Sequence, residues 1–168
     1  MILRDILIYI THIREALALN EEDKLRIELK LEEMIKYINE LQEMMPSDEE
    51  YYTNLVRRRA CEKTIEIAID SLIDIASMVV ASERFGLPTD EGNIIDLIVE
   101  HNVIDKKLGE KIKDMKGFRN ILVHRYGHVD DEIVYRILSI RLNDFYDFEK
   151  QVDRYLELMC TKWNKRST

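Results

Sequence analysis

Leu55–Phe85, LVRRRACEKTIEIAIDSLIDIASMVVASERF, is the stretch that decides the fold. Its apolar residues Ile65, Ile69, Leu72, Ile73, Ala76, Val79 and Val80 recur three and four positions apart, and Leu55, ten residues upstream of Ile65, extends the stripe. That is the period of one face of an α-helix, whereas a half-buried strand would alternate every second residue. Just upstream, Ser47 and Glu50 have the spacing of a capping box. The pattern therefore predicts a single long helix opening at Ser47 and running to about Phe85.

Working outward, the same period holds nearly everywhere. Pro46 stops a preceding helix that begins at Asn20, a candidate N-cap followed by the acids Glu21, Glu22 and Asp23. Leu25, Leu29, Ile35, Ile38 and Leu41 are its expected inward residues. Residues 1–19 carry Ile6, Ile10, Ile13 and Leu17 on one stripe and read as an accessory helix. Downstream, Gly86, Pro88 and Gly92 mark a loop, and Ile94–Val99 fits a short helix. Asp105 can cap another helix reaching Tyr126; Gly127–Asp130 is a break; Ile133–Trp163 forms the last long helix. Long helices with short connections predict an all-α, up-and-down bundle of about five to six helices. The accessory helix precedes one bundle domain over residues 20–168.

Composition limits what such a bundle can do. A chain of 168 residues with Gly 5 and Pro 2 suits one helical domain rather than a sheet built from many turns. The net charge of -8 excludes a protein that simply coats nucleic acid, because that affinity comes from phosphate neutralisation. It also disfavours an anionic membrane surface. The N-terminal apolar run is broken by Arg4, Asp5, His12, Arg14 and Glu15, which fits neither a signal peptide nor a membrane span. Cys61 and Cys160 match no metal-ligand spacing and read as buried thiols. A cytoplasmic location is the expectation.

Chemistry-bearing side chains crowd one place, Gly117-Phe118-Arg119-Asn120-Ile121-Leu122-Val123-His124-Arg125-Tyr126-Gly127-His128. At ~100° per residue, with Arg119 at zero, Asn120 lies at ~100°, His124 at ~140° and Tyr126 at ~340°. Asn120 and His124 form an i, i+4 pair in which the amide can steer the imidazole. Phe118, Ile121 and Leu122 are expected to anchor the helix in the core. Arg119 and His124 do not share a line; they meet if the helix distorts, if the arginine reaches round, or if a second subunit completes the site. The set suits RNA cleavage without a metal. A histidine near neutral pKa moves the 2′-hydroxyl or leaving-group proton, and an arginine fork holds the phosphate as its charge grows. Tyr126 can stack on a base or donate to phosphate. With one such histidine per chain, two motifs face to face would supply an acid and a base.

Arg119-x4-His124-x-Tyr126, within Arg-Asn-x-Leu-Val-His-x-Tyr, resembles the signature of the HEPN superfamily and, within it, the HepT branch. The resemblance runs over roughly residues 21 to 160. It takes in Arg59-Ala60-Cys61-Glu62-Lys63 to Ile67-Ala68-Ile69-Asp70, then Asp74-Ile75-Ala76, then Phe118 to Tyr126. It implies an RNA-cleaving toxin that works as a homodimer with Arg119 and His124 as catalytic residues and no cofactor of its own. It also implies a cognate minimal nucleotidyltransferase antitoxin that moves AMP from ATP onto Tyr126. Bulk and negative charge placed there would block substrate phosphate.

Several further residues are candidates around this site. Asp70 and Asp74 form an i, i+4 acidic pair, and either one pairing with Arg119 or His124 would orient the site. Arg57, Arg58 and Arg59 make the densest basic run in an acidic chain and are candidate RNA contacts, as is His128. His12 and His101 read as structural or exposed. The competing reading is a non-catalytic helical module that binds a nucleotidyltransferase and presents substrate to it.

Overall fold

The computed structural model describes the backbone of residues 21–123 and 130–166, with side chains described as far as residue 159. The accessory helix, the Asn20 cap, His124, Tyr126, His128 and the Cys160 thiol lie outside the described residues. Those that are described form seven helices and no strand: α1 (Glu21–Met44), α2 (Asp48–Thr53), α3 (Leu55–Ser82), α4 (Glu91–Glu100), α5 (Lys106–Val123), α6 (Asp131–Ile140) and α7 (Asn143–Arg166). The architecture is the expected all-α up-and-down bundle, with two more breaks than its sequence pattern suggests. No described helix is long and apolar enough to cross a membrane.

The long helices pair antiparallel. Met44 on α1 meets Thr64 on α3, while Lys30 near the start of α1 feels Asp74 further along α3. On the other side, Tyr146 of α7 donates to Asn39 and Gln42 of α1, and Asp153 faces Glu28 and Lys24. The inward seam of α1 is Ile27, Leu31, Met34, Ile38 and Leu41, spaced alternately four and three apart and buried against α3. Leu25 and Leu29, expected inward, are each 55% exposed. The run Leu25-x-Ile27-x-Leu29-x-Leu31 offers two apolar faces about 160° to 200° apart, and only Ile27–Leu31 continues into Met34 and Ile38.

The expected helix from Ser47 to Phe85 is two helices. Ser47 caps α2 by accepting the Glu50 N–H, as its spacing indicated. Asn54 then ends α2 and starts α3: its own N–H reaches the Glu50 carbonyl, and its side chain accepts from Arg57 N–H. An asparagine that bonds its neighbouring backbone competes with helix continuation, and the cut leaves Leu55 exposed instead of in the stripe. The short α2 is held by Tyr51, fully buried, whose hydroxyl donates to the buried Glu62 and whose ring packs on Tyr135 of α6.

The last helix is also broken, at Arg141–Leu142, and begins at Asp131 rather than Ile133. Leu138 and Phe145 both face the core, and their separation of seven keeps helical phase across the corner, so periodicity alone cannot reveal it. Asp144 fixes the corner. It is buried, and its carboxylate pairs with Lys111 of α5 and Arg141.

Two caps position the elements around the motif. Asp90 accepts from Gly92 and Asn93 N–H and starts α4 at Glu91, which brings Gly92 into the helix rather than the loop. Asp105 accepts the Leu108 N–H, as expected, and also exchanges two hydrogen bonds with Gln151 of α7. Between the capped helices, α4 and α5 approach at Gly109, where an added Cβ would lie 2.5 Å from Val99 Cγ2. Gly117 on the same helix faces open space.

These two glycines therefore respond oppositely to alanine. Gly109→Ala is expected to lose about 1–2 kcal/mol in urea denaturation, overpacking against a stiff β-branched residue outweighing the better helix propensity. Adding Val99→Ala should recover part of that loss. Gly117→Ala should gain roughly 0.5–1 kcal/mol, because only propensity changes there.

Candidate active site at the end of α5

The core stripe of α5 consists of Leu108, Ile112, Met115, Phe118 and Leu122. On ideal helical rotation Arg119 lies about 40° from the centre of that stripe, and Ile121 about 120°. The consequence is visible in burial. Phe118 and Leu122 anchor the helix as expected, Ile121 is 54% exposed rather than in the core, and Arg119 sits at the margin with its side chain only 16% exposed.

At that margin three groups surround the guanidinium. Nε lies 3.1 Å from Asp70 Oδ1 of α3, Nη2 donates to Glu91 Oε1 of α4 at 2.8 Å, and Nη1 donates to Asn120 Oδ1 at 3.0 Å. The Asp70 contact is an ion pair without an aligned hydrogen bond, so the buried Nε–H has no hydrogen-bond acceptor. Asp70 therefore does what the acidic pair suggested, reaching Arg119 across two helices. Asp74 stands one turn further along α3 on its exposed side, close enough for its charge to act on Asp70 and Lys30. The described part of α5 ends at Val123, next to His124.

Nothing in the sequence around Glu91 marks it as a site residue. It follows the Asp90 cap as an acid in a first helical turn, an ordinary placement for the helix dipole. Only the packing of α4 on α5 brings it to Arg119, and no local spacing announces that.

The basic run at the start of α3 is engaged by carboxylates throughout. Arg57 pairs with Glu50, Arg59 with Glu62, and Arg58 with Asp131 across to α6. Arg58 is mostly buried in that pair, while Arg57 and Arg59 keep about half their side chains in solvent. Cys61 is a buried free thiol, as expected. His101 is exposed and structural, stacked 3.8 Å from the Phe85 ring. Among the described residues no group of three His, Cys, Asp or Glu side chains is arranged to hold a metal ion.

Electrostatically the site is acidic. Burial holds the Asp70 carboxyl above its ordinary value; the attraction of Arg119 opposes this, and the nearby charges of Glu66, Asp74 and Glu91 reinforce it. An acid whose folded pKa is raised binds protons more readily folded than unfolded, so it adds stability as pH falls through that raised value. The parent protein should accordingly gain stability relative to Asp70→Asn between pH 7 and pH 4. Urea denaturation of both proteins at the two pH values measures this, and a parent that loses ground to the variant at pH 4 would contradict it.

Comparison with known proteins places the chain in a family. Residues 31–152 match the family described as Ribonuclease HepT-like. A protein of Archaeoglobus fulgidus is 33% identical over 118 residues, covering 70% of this chain and 83% of that one. The mRNA nuclease HepT of Shewanella oneidensis is 24% identical over 119 residues, covering 71% of this chain and 90% of the relative. The tRNA nuclease HepT of Aphanizomenon flos-aquae is 22% identical over 131 residues, covering 77% and 89%. Among solved structures, the tri-AMPylated Shewanella oneidensis HEPN toxin in complex with MNT antitoxin superposes with a TM-score of 0.72 at 23% identity, covering 76% of this chain and 96% of that one. The fold is that of the HEPN toxins, and the chain belongs to the HepT-like ribonuclease family.

Proposed function

We propose that this protein is a metal-independent endoribonuclease toxin acting as a homodimer, silenced by AMP transfer onto Tyr126 from a minimal nucleotidyltransferase antitoxin. The observation that carries the reading is the seating of Arg119, gripped by Asp70 and Asn120 at the start of Arg119-x4-His124-x-Tyr126. A guanidinium held in one orientation suits phosphate recognition, because the geometric cost of holding the fork is met before substrate binds. Names of the relatives support the same class, since two of them are an mRNA and a tRNA nuclease. The AMPylated toxin–antitoxin complex supports the partner.

In this mechanism His124 of one protomer takes the proton of the RNA 2′-hydroxyl, and the freed oxygen attacks the adjacent phosphorus. The 5′-oxygen bond breaks, and His124 of the second protomer supplies the proton that the leaving oxygen needs. Arg119 faces the phosphoryl oxygens as their charge grows, with Asp70 and Asn120 orienting it and Asp74 adding to the local field. The exposed Ile121 and Val123 beside the motif provide apolar surface for the second copy. Arg57 and Arg59 offer exposed cations to the RNA backbone, and His128 lies two residues beyond Tyr126. Adenylate on Tyr126 would fill the cleft with bulk and negative charge.

The reading is tested on purified protein with single-stranded RNA in the presence of a chelator. Arg119→Ala and His124→Ala should each reduce cleavage by at least about a hundredfold, while both variants keep the helical circular dichroism of the parent. Neither should arrest growth on expression. Cleavage by His124→Ala at the parent rate would overturn the mechanism. An intact parent that binds a nucleotidyltransferase but cuts no RNA would instead favour the non-catalytic interaction module.

A further inference from the structure

Glu91 is the one partner of Arg119 with no place in the mechanism above. We infer that Glu91 occupies the position of a substrate phosphate on Arg119 and thereby sets the protein's affinity for RNA. The inference rests on the reading of Arg119 as the phosphate-binding residue.

Each donor group of the guanidinium has a different neighbour. Asn120 is neutral, belongs to the same helix turn and uses Nη1. Asp70 stands in the middle of the long α3 and touches Nε. Glu91 takes Nη2, and the edge formed by Nε and Nη2 is one that a phosphate engages with two parallel contacts. Both positions of that edge are therefore filled by carboxylate oxygens, one of them without an aligned hydrogen bond. The charges of Arg119, Asp70 and Glu91 sum to -1, so an approaching phosphate meets a repulsive site until one carboxylate leaves.

Glu91 is the carboxylate placed to leave. It lies in the first turn of α4 immediately after the loop that contains Gly86, and its side chain is 39% exposed. Rotation about its own side-chain bonds is enough to break the single contact, with no backbone movement. Once released it still lies at the N-terminal end of α4, where a negative charge is favoured. Asp70 is more exposed, at 48%, but it stands in the middle of α3, where no helix N-terminus takes up its charge once the contact is broken. Glu91 thus acts through Arg119. It keeps the buried guanidinium paired while the site is empty and competes with RNA for the same nitrogen.

Removing the Glu91 charge while keeping its shape tests this. Parent, Glu91→Gln, Arg119→Ala and the double variant of the full chain are compared in binding a 2′-O-methylated oligoribonucleotide, which lacks the attacking hydroxyl. Cleavage of the unmodified RNA is followed in parallel. Glu91→Gln should tighten binding about 3- to 10-fold, consistent with loss of one partly exposed competing charge, with the change falling on KM rather than kcat. In the Arg119→Ala background the same substitution should change binding less than about twofold, because the gain passes through Arg119. Glu91→Ala, as a second variant, should shift binding in the same direction as Glu91→Gln.

Weaker binding or a fall in kcat alone for Glu91→Gln would overturn the inference and make Glu91 a structural holder of Arg119. An equal gain in the Arg119→Ala background would overturn it in favour of a general charge effect. Parent and Arg119→Ala binding RNA equally would remove the proposed RNA site itself, whereas Arg119-dependent binding with no Glu91 effect would remove only this inference.

Discussion

The charge on an arginine side chain that is only 16% exposed has to be paired, and Arg119 is paired from three directions by groups on α3, α4 and its own helix. Leaving such a charge buried without partners would cost several kcal/mol. That requirement constrains the neighbouring elements. Asp70 must face α5 from the middle of α3, and α4 must start close enough for its first turn to reach across. The Asp90 cap and the close approach at Gly109 bring α4 to that position. Asp105, Lys111 and their partners Gln151 and Asp144 hold α5 against α7. The bundle is thus organised so that one charged side chain at the margin of the core has a fixed orientation.

Orientation and affinity are set by different parts of this arrangement. In the proposed reading Asp70 and Asn120 orient the guanidinium, whereas Glu91 fills the nitrogen that a phosphate would use. An overall charge of -8, carboxylates on every arginine of the Arg57–Arg59 run and a site with surplus negative charge give little long-range attraction for RNA. Recognition therefore depends on contacts made at the site itself. A second copy would bring its own His124, which meets the need for both an acid and a base, while its own Asp70 and Glu91 leave the charge balance of the paired sites negative.

Much of this was legible in the sequence, and the exceptions have physical causes. Helical period identified the bundle, and the capping chemistry of Ser47 and Asp105 located two helix starts correctly. The break at Asn54 is hidden because the apolar pattern carries on beyond it, and the break at Arg141 because the seven-residue step from Leu138 to Phe145 preserves phase. Leu25 and Leu29 lie outside the core because α1 carries two apolar faces near its start, and Ile121 because the core stripe of the whole of α5 runs along the other side of the helix. At the site, the acidic pair pointed to an Arg119 partner, and Asp70 is that partner. Glu91 is 28 residues away from Arg119 and belongs to a different helix, so only tertiary packing makes them neighbours.

The most direct test of the account is the mass of the intact protein, with peptide mapping around Tyr126, after production alone and together with a minimal nucleotidyltransferase partner. The account predicts additions of one or more adenylates at Tyr126 only in the co-produced sample, accompanied by loss of RNA cleavage. An unmodified Tyr126 in both samples, from a protein that cuts no RNA in either, would contradict it.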